Sequence, residues 1–108
     1  LDGTPEAPVQ MLPWDANVPG AWAGVGIYHH AVDAETSLRH FEIGYAGGRS
    51  LDGGLHLSEA SPTVQDGLLT SNEGYGLYID HATPTLSDMQ YDHNDLGPCN
   101  QDDCGAAE

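Results

Sequence analysis

The sequence predicts an all-β fold: a parallel β-solenoid of about four to five coils built on a 22-residue repeat. Three observations predict it. Two successive stretches, 54–75 and 76–97, superpose without a gap at a period of 22. Within each, apolar residues alternate, as in Leu55-x-Leu57 and Leu77-x-Ile79, which is the strand period of two. Between these short runs stand Gly, Pro-Thr, Asn and Asp, the residues that turn a chain.

The two clear copies match position by position. Gly54 falls on Gly76, Leu55 on Leu77, Leu57 on Ile79 and Ala60 on Ala82. Pro62-Thr63 falls on Pro84-Thr85, Val64 on Leu86, Asp66 on Asp88 and Asn72 on Asn94. A degenerate copy spans 23–47, with Val25 and Ile27 in the places of Leu55 and Leu57. There Ser37-Leu38 stands for Thr63-Val64, and Phe41 and Ile43 for Gly67 and Leu69. Its fit needs about four extra residues near Val32–Thr36 and about four near Arg49–Asp52, and solenoids place such insertions in loops. Proline at 62 and 84 prevents a helix there, and three short strands with three turns fill each repeat.

Stacked at about 4.8 Å, equivalent residues form columns. Leu38, Val64 and Leu86 make one, and Ile43, Leu69 and Tyr91 another. Phe41, Gly67 and Met89 make a third that trades size between layers, while Asn72 above Asn94 makes an amide ladder. Residues 1–97 read as one solenoid domain, and 98–108 as a C-terminal tail carrying Cys99 and Cys104. Four residues separate these cysteines, a feasible disulfide loop. Free thiols or a metal site are the alternatives, and a metal would want further soft ligands nearby. A disulfide implies an oxidising, extracellular compartment.

Composition excludes several functions. The 108 residues carry 17 acidic and 2 basic side chains, Arg39 and Arg49, for a net charge of −15. No basic stripe for nucleic acid or anionic lipid can be built from two arginines. No lysine is present for a phosphate-binding loop, and no apolar run is long enough to insert in a membrane. Leu1 reads as the start of a mature or excised segment.

The stretches SPTVQDGLLTSNEGYGLYI and TPTLSDMQYDHN resemble the repeat of right-handed parallel β-helix proteins of the pectin-lyase-like superfamily. LDGTPEAPVQML, AWAGVGIYHH and LRHFEIGYAGG resemble a sub-type found in secreted bacterial surface proteins. The resemblance covers roughly residues 1–97. It implies right-handed winding and a secreted or cell-surface location. It implies no single activity, because the superfamily holds lyases, hydrolases, adhesins and spacers. The chain departs from it in having few coils. Both ends read as uncapped, so self-association through open solenoid ends, or continuation into a longer solenoid, is expected.

Candidate chemistry lies in the columns. A superfamily lyase would need aspartates holding calcium and an Arg or Lys base. Asp66 and Asp88 stack, with His40 one layer above, but Arg39 stands alone beside Gln65 and Ser87. A hydrolase would need paired carboxylates, whereas Asp at this place in the repeat suits a turn. His29, Glu59 and His81 fall in one column that could hold a transition metal. Asp92, Asn94, Asp95, Asp102 and Asp103 are hard oxygen ligands for calcium. Tyr28 and Tyr78 form an exposed pair suited to carbohydrate, while Tyr91 and Trp22 read as core. His56 aligns with Tyr78, and His93 with Ser71.

The sequence therefore points to a non-enzymatic, extracellular structural module of a surface or adhesive protein, or to a self-stacking filament subunit. Calcium is the one cofactor it suggests. A polysaccharide-binding or polysaccharide-cleaving module and a metal-binding surface protein are the alternatives.

Overall fold

A three-residue strand buries too little apolar surface to persist alone. Here such strands gain their partners from distant parts of the chain. The computed structural model describes residues 2–13, 18–29, 36–48, 52–101 and 103–106. Among them the chain is all β, with no helix. Its strands are β1 (Val9–Met11), β2 (Val25–Ile27), β3 (Ser37–Gly44), β4 (Gly53–Ser58), β5 (Thr63–Thr70), β6 (Tyr75–Asp80), β7 (Thr85–Ser87), β8 (Gln90–Asp92) and β9 (Gly97–Cys99).

All pair in parallel. One sheet runs β1-β3-β5-β7, with β8 also on β5, and the other runs β2-β4-β6-β9. The chain thus crosses from one sheet to the other and back, adding a layer at each return. Registers follow the repeat. Leu55 lies opposite Leu77 and Leu69 opposite Tyr91, 22 residues on. Phe41 lies opposite Gly67, 26 residues on, and Val25 opposite Leu55, 30 residues on. These offsets exceed 22 by four and by eight, as one and two four-residue insertions require. Most of both insertions falls outside the described residues.

One apolar core draws on both sheets. Leu38, Phe41, Ile43, Val64 and Leu69 come from the first, and Leu55, Leu57, Leu77, Ile79 and Cys99 from the second. Burying each of the larger aliphatic side chains contributes about 1.5–3 kcal/mol. In a straight strand residues i and i+3 point to opposite faces, yet Leu38 and Phe41 are both buried. His40 between them has φ 49°, a left-handed residue that turns the strand through a corner. Asp66 and Asp88 repeat this at φ 53° and 51°. Two more corners recur with the period: Tyr45, Ser71 and His93 in one column, Glu59 and His81 in another, all at positive φ. The three turns per repeat are therefore three columns of left-handed residues.

The expected columns form. Leu38 pairs with Val64 and Val64 with Leu86. The Phe41 ring fills the space over Gly67, where an added Cβ would meet its Cζ at 2.3 Å. The amide ladder is present, with Asn72 buried and Asn94 half-buried. Asn72 Nδ2 donates to Asn94 Oδ1 at 2.9 Å, Ala46 N donates to Asn72 Oδ1 at 2.8 Å, and Asn94 Nδ2 donates to Leu69 O at 2.8 Å. Gly54 and Gly76 flank these amides so closely that a Cβ on either would meet them at 2.6–2.7 Å.

The segment after residue 97 does not stand apart as a tail. β9 pairs with β6, and the Cys99–Cys104 disulfide turns the chain back. Ala106 then bridges to Met89 in parallel, Met89 N donates to Gly105 O at 2.9 Å, and the Tyr91 hydroxyl donates to Cys104 O at 2.6 Å. Residues 104–106 thus lie along the first sheet beyond β7 and β8.

Candidate functional site

Strand alternation turns Leu55, Leu57, Leu77 and Ile79 inward, so Gly26, His56 and Tyr78 point outward from the second sheet, in register. Gly26 presents no side chain to this column. The Tyr28 ring folds back over it, and a Cβ there would meet Tyr28 Oη at 2.7 Å. The result is a row of rings crossing three layers. Tyr28 and His56 centroids are 5.9 Å apart, and His56 stacks on Tyr78 at 5.1 Å with 25° between planes. Tyr75 extends the row, 6.1 Å from Tyr78 and tilted by 38°. His56 is only 9% exposed, and its buried Nδ1 has no hydrogen-bond partner among the described residues.

A groove of about 660 Å³ opens beside Tyr75 and Tyr78. Asp52, Glu73, Asp95 and Leu96 line it as well, with Gly47 and Gly74. Glu73 and Asp95 form another column of the repeat: Glu73 N donates to Ala46 O, and Asp95 N to Asn72 O one layer on. Among the described residues, the carboxylic side chains on the groove wall are Asp52, Glu73 and Asp95, and none of the lining residues is basic. Leu96 is 65% exposed, an apolar lip.

A second groove, of about 240 Å³, lies at the His40 corner. His40, Asp66 and Asp88 line it together with Glu42, Gln90, Pro5 and Pro8. His40 Nε2 stands 3.7 Å from Asp66 Oδ2. All three column residues sit at positive φ, so the aspartates serve the corner first.

The other predicted residues are placed as follows. Tyr28 and Tyr78 do not stand as an isolated exposed pair, because His56 lies between their rings. His29 Nδ1 and Glu59 Oε2 are 3.9 Å apart, but His81 turns to its neighbour Asp80, Nδ1 to Oδ1 at 2.6 Å. Among the described residues no three His, Cys, Asp or Glu gather as a metal-binding group. The calcium candidates are dispersed. Asp92 contacts His93, Asn94 is engaged in the ladder, Asp95 lines the larger groove, and Asp103 Oδ1 accepts from Gly105 N at 2.9 Å. Asp102 lies outside the described residues. Cys99 and Cys104 form the disulfide, Cα to Cα 5.9 Å.

Tyr91 is partly buried against the core, and burial, reinforced by Asp103, raises its phenol well above the ordinary tyrosine range. Trp22 packs on the core edge and donates from Nε1 to Gly44 O at 2.8 Å. Sequence reasoning missed the ring row and the larger groove. A signal for each was present: the side-chain gap at Gly26 two residues before Tyr28, and Glu73 one period before Asp95. Set against family models, curated proteins and solved structures, the chain matches none.

Proposed function

We propose that the protein is an extracellular structural module: a right-handed parallel β-solenoid of the pectin-lyase-like kind that works as a stacked shaft, not as a catalyst. The observation that carries this reading is the in-register layering. The chain alternates between two parallel sheets, and an amide ladder from Asn72 to Asn94 joins successive layers at one repeat length. Such packing suits a rigid spacer, because each layer contacts only its neighbours and the stack lengthens by repetition. The disulfide supports an oxidising compartment. Among the described residues β1 and β2 each have a strand partner on one side only, which leaves backbone groups for a further strand. A second copy of the chain is the partner we assign to them.

Light scattering across a concentration series tests this. Calcium should promote assembly, since a charge of −15 opposes close approach of two copies and a divalent cation offsets it. The expected result is a mass that grows with concentration without reaching a closed size. A mass fixed near 11.4 kDa at every concentration, with and without calcium, would remove self-stacking as the role.

The ring row favours a second reading, carbohydrate binding. Tyr75 and Tyr78 line the larger groove, and a tyrosine offers apolar contact with a polar hydroxyl, which suits a sugar ring.

A further inference from the structure

We infer that residues 104–106 stand in for β1 of a second copy, and that the Cys99–Cys104 disulfide is a redox latch holding them there. A dithiol reductant then opens the β7/β8 edge to stacking. This inference rests on the self-stacking reading, and it names the join and its control.

The columns locate the join. In the first sheet Val9 pairs with Phe41 and Phe41 with Gly67, and Met89 is the next member, since β8 keeps the register of Leu68 with Gln90. Met11, Ile43, Leu69 and Tyr91 form a neighbouring column. In the second sheet Val25, Leu55, Leu77 and Cys99 stand in line. A following copy that continued the layers in register would set Val9 on Met89, Met11 on Tyr91 and Val25 on Cys99. The matching edges suit each other. Val9-Gln10-Met11 and Met89-Gln90-Tyr91 are uncharged on a chain of charge −15, so these residues bring no like charges together.

The chain already fills part of that place. Ala106 bridges to Met89 in parallel, where Val9 of a following copy would lie, and Met89 N donates to Gly105 O at 2.9 Å. The Tyr91 hydroxyl donates to Cys104 O at 2.6 Å. Gly105 lies so close to the edge that a Cβ there would meet Leu86 Cβ at 2.5 Å. Hydrogen bonds exchanged with water add little net hold, whereas the disulfide ties the segment to β9. In the second sheet β9 has a strand partner on one side only among the described residues, and the Asn100 amide bonds Ile79 N and O at 2.8 Å each. The latch therefore governs the first sheet.

Opening it is thiol–disulfide exchange. Cys99 is 7% exposed and Cys104 is less buried, so the Cys104 sulfur is the one a thiolate reaches. A dithiol attacks it, the S–S bond breaks, and Cys99 leaves as thiolate and takes a proton. The second thiol of the reductant then displaces Cys104. The chain gains two electrons and two protons, and the reductant ends as a cyclic disulfide. Met89 N and the apolar edge at Leu86 and Met89 are then free for Val9 and Met11 of a second copy.

Light scattering across a concentration series, with calcium present, tests this on the oxidised chain, on the chain reduced by dithiothreitol and on Tyr91→Phe with its disulfide intact. Thiol titration confirms the redox state, and far-UV circular dichroism the fold. Reduction should lower the concentration at which the mass begins to grow by about tenfold or more. Tyr91→Phe removes the hydroxyl that holds Cys104 O and should lower it by about fivefold. Dilution and reoxidation should restore the parent's curve. If all three samples grow along one curve, self-stacking stands and the latch falls. If none exceeds 11.4 kDa, the stacking reading falls and the latch with it. Growth that neither dilution nor reoxidation reverses is aggregation and overturns the latch. Loss of the β signal on reduction would make the disulfide a structural staple, and would overturn it too.

Discussion

Replacing Asn72 by alanine should be among the most damaging single changes available to this chain. Its side chain is fully buried and serves two layers at once. Oδ1 accepts from Ala46 N at 2.8 Å, and Nδ2 donates to Asn94 Oδ1 at 2.9 Å and, at a longer 3.4 Å, to Ile43 O. Two well-formed hydrogen bonds contribute about 1 kcal/mol each, and the longer one less. Ala46 is itself buried, so its N–H would lose its partner where water cannot replace it, costing a further 1–3 kcal/mol or so. The expected loss is therefore about 3–4 kcal/mol, a fall in Tm of roughly 15 °C or more. Asn94→Ala is the comparison. Asn94 Oδ1 accepts from Asn72 N at 3.1 Å and from Asn72 Nδ2 at 2.9 Å, so its loss strands two donors of a buried residue. Because Asn94 itself is half-buried and water can replace its bond to Leu69 O, about 2–3 kcal/mol is expected, somewhat less than for Asn72. Urea unfolding followed by far-UV circular dichroism measures both, and the double variant measures their coupling, expected near 1 kcal/mol. The reasoning is refuted if Asn72→Ala costs less than 1 kcal/mol, or if Asn94→Ala costs more than it does.

Other expectations follow from single contacts. Gly67→Ala drives a Cβ into the Phe41 ring and should cost about 1–3 kcal/mol in a denaturant melt, partly recovered when Phe41→Leu is added. Glu59→Gly relieves a left-handed residue at φ 55° and should raise stability by about 0.5 kcal/mol, the balance of relieved strain against added chain entropy. The raised Tyr91 phenol gives an alkaline prediction. Unfolded tyrosine loses its proton near pH 10 while the folded one keeps it, so above pH 10 the native state holds more protons. Stability should then fall by about 1.4 kcal/mol per pH unit above pH 10 from this group, and be unaffected by it below. Tyr91→Phe should remove that slope in melts taken across the alkaline range. Survival of the slope in the variant would assign it elsewhere.

Columns were legible because burial enforces them. A residue such as Leu55 or Val64 has apolar equivalents one period away because all face one core, and the period passes from sequence to register unchanged. Insertions too were countable, since extra residues between Ile27 and Phe41 cannot enter a sheet without breaking its register. What the sequence concealed lies outside the core. Side chains at the corners choose among near neighbours, and nothing in the period says that His81 turns to Asp80 while His29 approaches Glu59. Tyr28 also leaves its own column to cover Gly26, a rearrangement set by local packing and not by strand alternation. The left-handed corners were legible only as turns. His40 and Asp66 tolerate that conformation, but Tyr45 and Glu59 are poor markers of it.

The sheets are covered unequally at their two edges, and this bears on how copies would stack. Beyond β7 and β8, residues 104–106 occupy part of the place of a further strand, with Gly105 against Leu86 and its carbonyl bonded to Met89 N. The disulfide holds them there, and closing its six-residue loop contributes about 2 kcal/mol by chain entropy. Leu86 is therefore no bare end column. Leu86→Asp would act on this covering segment and on stability before it acted on any neighbour. The opposite edge differs: Val25 and Ile27 are half-buried on β2, and Leu12 and Val18 are 44% and 56% exposed. If copies stack, Val25→Asp should lower the concentration-dependent mass by placing charge at that edge. The Cys99→Ala/Cys104→Ala double variant should raise it by loosening the cover over Met89. A double variant that still folds and assembles no more than the parent would show that residues 104–106 do not limit stacking. Val25→Asp leaving the mass unchanged as well would place any association away from both sheet edges.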